Sequence, residues 1–159
     1  MPFSPPAFAN TNTLLTLIPL SGNNTPTLNK YAVRGLTQTY HQIGDQQNIR
    51  RTVDGRLVNL TPPWFHQFAS TVTCKDVYAP CLDGAWRGVI CEVECAGEFS
   101  YVTGSPVRPV VPGSQRVDEQ GITYYLPIMI MMVIDIDQSF GEWAAEWNWK
   151  IELQEVGLP

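Results

Sequence analysis

The residues best able to do chemistry in this 159-residue chain are four cysteines, Cys74, Cys81, Cys91 and Cys95. Their spacing, Cys-x6-Cys-x9-Cys-x3-Cys, contains no Cys-x2-Cys knuckle and so does not match a zinc or iron–sulfur framework. On a strand, Cys91 and Cys95 share one face with Val93, while Glu92 and Glu94 point the other way. At roughly 3.3 Å per residue their Cα atoms lie about 13 Å apart, too far for a disulfide or for joint ligation of one ion. The expectation is small buried thiols, at most one bridge from Cys74 or Cys81 to one of them, and no metal.

The remaining candidates do not combine into a reaction. His41 and His66 lie in no catalytic or metal motif, and Asp135 and Asp137 share a strand-end face without a third acidic or histidine partner. Arg50-Arg51 beside a hairpin is placed to meet an acidic neighbour in this subunit or another. There is no phosphate-cradling Gly-rich loop and no nucleophilic serine elbow. Asn23-Asn24-Thr25 and Asn59-Leu60-Thr61 match glycosylation acceptors, a pattern common by chance. No acid, base and nucleophile set can be named, so the chain reads as non-enzymatic, with no catalytic residues and no cofactor. Trp86, Tyr101, Tyr124 and Tyr125 define an alternative, an aromatic platform for carbohydrate or peptide.

Composition narrows the partners. The chain is 44% hydrophobic but only 16% charged, against roughly 25% charged in an average soluble domain. Its 13 prolines and 12 glycines favour turns and strands over charged helices. A net charge of -5 argues against binding a phosphate backbone, so nucleic acid is not expected as a partner. The longest apolar run, Leu126 to Ile134, is far shorter than the roughly 18 residues of a membrane span. Met1-Pro2-Phe3-Ser4 has no basic start, and Thr16 and Pro19 interrupt the apolar stretch after it, so no signal peptide is expected. These features point to a protein made in a cytoplasm, with no membrane partner and its cysteines reduced.

The elements that would position these residues are mostly strands. Residues 1 to 30 carry Lys30 as their one charge, many Pro, Asn, Thr and Ser, and the apolar residues Phe3, Phe8, Leu14, Leu15, Leu17, Ile18 and Leu20. They read as an extended N-terminal arm whose apolar residues form an assembly interface. The alternative is an ordinary first strand of the domain's own sheet. Residues 31 to 159 then form a single β-domain. Strands are expected at Tyr31 to Tyr40, Thr71 to Cys74, Arg87 to Phe99, Thr123 to Ile136 and Ala145 to Val156. In the last, Trp147, Trp149, Ile151 and Leu153 alternate with Glu146, Asn148, Lys150 and Glu152. Ile128 to Ile134 is apolar on both faces, as in a strand covered on each side or covered on assembly. Asp54-Gly55 predicts a hairpin with a two-residue type I′ turn. Thr61, Pro62 and the apolar residues at 64, 65 and 68 predict one short helix over Pro62 to Ser70. Six breakers from Gly104 to Gly121 (Gly104, Pro106, Pro109, Pro112, Gly113 and Gly121) predict a long loop at about 104–121. The expected fold is all-β, an antiparallel β-sandwich or barrel with one short helix.

Several of these segments together resemble small virion structural proteins of long-tailed bacteriophages. They are Arg51-Thr52-Val53-Asp54-Gly55, Phe68 to Cys74, Ala79 to Gly88, Tyr125 to Val133 and Glu142-Trp143-Ala144-Ala145-Glu146-Trp147. The resemblance spans roughly residues 31 to 156. It implies a multi-copy component of the tail tip or baseplate, or a decoration protein on the capsid. Its partners would be copies of itself, as a symmetric homo-oligomer, and other virion proteins. The low charge fraction and the two-sided apolar strand fit a subunit that completes its burial in an assembly.

Overall fold

The computed structural model describes residues 16–20, 33–43, 48–62 and 66–157, and among these there is no helix. Six strands form one antiparallel sheet: β1 (Thr16–Pro19), β2 (Thr37–Gln42), β5 (Phe68–Asp76), β6 (Ile90–Glu94), β10 (Ile128–Gly141) and β11 (Glu146–Glu155). Their spatial order is β1-β6-β10-β11-β5-β2. A separate hairpin pairs β3 (Ile49–Arg51) with β4 (Leu57–Asn59). A small third sheet joins β7 (Phe99–Tyr101), β9 (Thr123–Tyr125) and β8 (Arg116–Val117) in the order β7-β9-β8.

Period-two alternation gives the large sheet one apolar face. Leu17, Val72, Cys74, Cys91, Val93, Met129, Met131, Val133, Trp149, Ile151 and Leu153 all point to it and are buried. Each large side chain removed from water there contributes about 1.5 to 3 kcal/mol, so this face is the main source of stability. The strongly curled sheet wraps around that core as a half-barrel. The curl is visible in two hydrogen bonds that cross the opening. Gln38 on β2 accepts from the Ala96 N–H at 2.8 Å, and the Tyr40 hydroxyl accepts from the Gly97 N–H at 3.1 Å. Those partners follow β6, four places away from β2 in the sheet order. The two sides of the opening therefore meet through side chains and not through a strand ladder.

A bulge at Ile134 keeps β10 in phase. Val133 pairs with Leu153 and Asp135 with Glu152, so Ile134 has no partner on β11. The extra residue places Ile136, like Val133, on the core side and leaves Asp135 and Asp137 outside.

Three expectations change. Phe68 to Ser70 opens β5 where the end of a helix was expected, and residues 63–65 of that helix lie outside the described residues. Long-range pairing prevails over the local signal: β5 lies between β11 and β2, and Glu155 accepts the Phe68 N–H at 2.9 Å. The hairpin at Asp54-Gly55 forms, but Thr52 N–H donates to Arg56 O, which leaves the three residues Val53 to Gly55 in the loop. Gly55 alone has positive φ (79°), whereas a type I′ turn needs it at both central residues. The 104–121 segment is laced to the fold by β8, by a bridge from Val110 to Pro127 and by the Ile128 N–H donating to Pro109 O.

Candidate assembly surfaces

Of the expected arm interface, Phe3, Phe8, Leu14 and Leu15 lie outside the described residues. Thr16 to Pro19 is the edge strand β1, paired to β6, and Leu17 is 2% exposed in the chain's own core. Leu17 is therefore not available to a neighbour. Ile18 and Leu20 remain substantially exposed.

The outer face of the same region mixes apolar residues with two carboxylates. Cross-strand pairing sets Glu92 between Ile18 and Ile130, Glu94 between Thr16 and Ile128, and Ile90 beside Met132, with Ile134 exposed at the bulge. The two-sided apolar character of β10 is thus satisfied by the core on one side only. Beyond this, the sheet ends in two edges, β1 and β2, with no further strand paired to either among the described residues.

The cysteines are all free thiols. Cys74, Cys91 and Cys95 are buried and Cys81 is exposed. Burial pushes the thiols of Cys74 and Cys95 up to about 11, and raises Cys91 by the same cause. Such thiols are poor nucleophiles at neutral pH. Among the described residues, no group of three or more His, Cys, Asp or Glu side chains is placed to hold a metal ion.

The aromatic platform does not assemble. Tyr124 and Tyr125 are neighbours on β9 and face opposite sides of it. Tyr125 is buried, with edge contacts to Phe99 at 6.3 Å and Tyr101 at 5.8 Å, whereas Tyr124 lies under the Arg116 guanidinium at 4.3 Å. Phe99 also meets Tyr40 and Phe68, so this cluster packs the β7-β9 sheet onto the core. Trp86 stands apart, 74% exposed, on a cavity of about 510 Å3 that Asp83, Arg87, Ile136 and Gln138 also line.

Two ion pairs fix the surroundings. Asp76, on the core face of β5, accepts from the backbone and side chain of Arg34 and from the Val77 N–H. Burial alone would raise its carboxyl, but these hydrogen bonds outweigh burial and hold it below the usual carboxylate value. Arg108 reaches from the long loop to Glu155 through two hydrogen bonds of 3.0 and 2.7 Å, donates to His66 O, and lies 4.7 Å over the Phe68 ring. It lines a cavity of about 450 Å3 with Ile43, Ile49, Thr61, His66 and Phe68. His66 itself is exposed, and Arg50 and Arg51 bond within their own hairpin, to Asn48 Oδ1 and Gly55 O.

The sequence reading overlooked the β10-β11 hairpin tip. β10 outruns β6, whose pairing with it ends at Met132, while β11 stays paired to β5 as far as Trp147; the turn beyond presents Phe140 (53% exposed) and a fully exposed Trp143. The Phe140 and Trp147 rings lie 5.2 Å apart across it. The signal was present as a tryptophan set in the turn between two strands.

Among the described residues, fold and surfaces define an all-β protein with open sheet edges and exposed aromatics. No protein family model matches the chain, and no curated protein does. Among solved structures it is similar to the tail of an empty GTA particle, determined with helical refinement and C6 symmetry. The match covers 92% of each chain at 11% identity with a TM-score of 0.43. At that level no residue's role passes from that tail to this chain.

Proposed function

We propose that the chain is a non-enzymatic structural subunit of a phage virion. It acts in many copies in the tail tip or baseplate region and joins its neighbours through the N-terminal arm, the sheet edges and the loops. The observation that carries the multi-copy reading is the surface of the large sheet: two edges with no further strand paired to them among the described residues, and Ile18, Leu20 and Ile134 exposed beside them. Exposed edges and contiguous apolar patches are liabilities for a monomer and assets for a subunit. The virion and tail assignment rests on the sequence resemblance, which admits capsid decoration as the second location. Immunogold labelling of purified particles distinguishes the two: label at the tail tip is expected, and label over the head overturns the tail placement. Deleting residues 1 to 14, which spares β1, should leave a folded core that no longer enters particles. Incorporation at the normal level would remove the arm from the assembly.

A second reading, a carbohydrate-binding module, is favoured by Trp86 alone. An exposed indole beside a carboxylate, a guanidinium and an amide has the groups that stack on and hydrogen-bond to a sugar ring. A glycan array probed with the full chain and with Trp86→Ala tests it. Glycan binding lost in the variant would support it, and no binding by either would end it.

A further inference from the structure

We infer that copies of this chain associate head to tail, the β10-β11 hairpin tip of one copy docking at the β3-β4 pole of the next. This rests on the multi-copy reading and adds which surfaces meet. The two ends of β11 mark two unlike poles. Glu146 lies at the tip end and Glu155 at the other, nine residue steps or about 30 Å apart.

The tip pole is aromatic and acidic. It carries Trp143 and Phe140, and its acids Asp137, Glu142 and Glu146 outnumber its bases Lys75 and Lys150; Glu146 meets Lys75 and Asp137 faces Lys150 across the strand pair, while Glu142 in the turn forms no ion pair among the described residues. A fully exposed tryptophan beside an exposed phenylalanine is the composition of a binding hot spot. The opposite pole is basic and hollow. Its hairpin carries Arg50, Arg51 and Arg56 against the single acid Asp54, and none of the three arginines forms an ion pair among the described residues. At the root of that hairpin is the cavity of about 450 Å3 beside Arg108, floored by Ile43, Ile49 and Phe68. Its volume falls in the range of pockets that hold small ligands, so it has room for an indole. Arg108 already lies over the Phe68 ring, so a second aromatic entering there meets apolar carbon and a guanidinium together.

The occupant is a second copy because charge and shape are complementary between the poles and not within either one. Acid against acid, or arginine against arginine, would repel. Pairing unlike patches is a heterologous contact, and it repeats from copy to copy.

The test uses sedimentation velocity of the full chain and two variants. Phe140→Ala/Trp143→Ala disables the tip and keeps the arginine pole; Arg50→Glu/Arg51→Glu does the reverse. Self-association of the wild type, weakened by added salt, is expected, with about a tenfold or greater loss in each variant. Mixing the two variants should give a heterodimer that grows no further, because each supplies the surface the other lacks. Glu142→Arg, a substitution on an exposed turn, should weaken association as well and guards against misfolding of the double variant. If the variants associate like the wild type, or the mixture gives no heterodimer, the pole contact is wrong while the multi-copy reading stands. If the wild type stays monomeric at every concentration, both fall.

Discussion

The Gly97 N–H donates to the Tyr40 hydroxyl at 3.1 Å, and a Cβ on Gly97 would lie 2.8 Å from a ring carbon of the same tyrosine. Glycine is required there for space and not for backbone freedom, since Gly97 is not among the positive-φ glycines. Gly97→Ala should push the ring off the seam that closes the half-barrel and cost about 1 to 3 kcal/mol. Tyr40→Phe, which keeps the ring and removes the acceptor, should cost about 1 kcal/mol. Urea unfolding of both variants and of the double variant checks the pair; strictly additive losses would mean the two positions are not coupled.

Acid should weaken the Arg34–Asp76 pair only below about pH 4. Because the folded-state carboxyl is held below its ordinary value of 3.8, the folded protein binds that proton more weakly than the unfolded chain. The contribution is full above about pH 4 and is lost as pH falls through the folded-state value. Asp76→Asn should destabilise by about 1 to 3 kcal/mol at neutral pH and flatten stability against pH below 4. An unchanged acid limb in the variant would assign that limb to other carboxylates.

Arg108 should matter more than its place in a loop suggests. Its side chain is 12% exposed and that of Glu155 15%, so removing one partner strands the other charge where water reaches it poorly. Arg108→Ala should cost about 2 to 4 kcal/mol, and Arg108→Lys should recover only part because it lacks the two-pronged geometry. Thermal melts of the two variants decide this; equal melting temperatures for Lys and wild type would reduce the pair to a point charge.

Only Cys81 should react readily with a thiol reagent. At pH 8 the native protein is expected to release one rapid equivalent of thionitrobenzoate from Ellman's reagent, rising to four on denaturation. Cys81→Ser should abolish the rapid phase. A second rapid thiol would place one of the buried cysteines in a region that opens locally.

Ala145 holds a left-handed backbone at φ 49°, the one non-glycine residue with positive φ among those described. Ala145→Gly should relieve strain in the hairpin turn and raise stability by about 0.5 to 1 kcal/mol. A lower melting temperature would mean that the loss of unfolded-state freedom at alanine is worth more than the strain.

How legible this fold was depended on how local each cause is. Trp147 to Leu153 announce β11 through strict alternation, and Cys91, Val93 and Cys95 lie on the buried face as their spacing requires. The short helix was misread because Pro62 and the aromatics before Phe68 imitate a helix start, while the pairing of Phe68 to Asp76 with β11 depends on residues about 80 positions away. The Arg108–Glu155 pair, 47 residues apart, leaves no mark in local spacing. The adjacent Tyr124 and Tyr125 were grouped by type, and a strand's alternation separates them. For the hairpin tip, Trp143 was visible in the sequence, but its exposure depends on the turn lying past the last β5–β11 pair, Asp76 with Trp147, and on β10 outrunning β6.

The bulge at Ile134 has a consequence for how this sequence can change in length. A deletion inside a regular strand turns every later side chain to the wrong face. In β10 the unpaired residue absorbs that error. Losing Ile134 leaves Val133 and Ile136 facing the core, and losing Met132 instead moves Ile134 into the place of Val133, one aliphatic side chain for another. The strand that looks most constrained by its burial therefore carries one residue of slack, and single-residue deletions between Met132 and Ile134 should be among the few in the sheet that the fold survives.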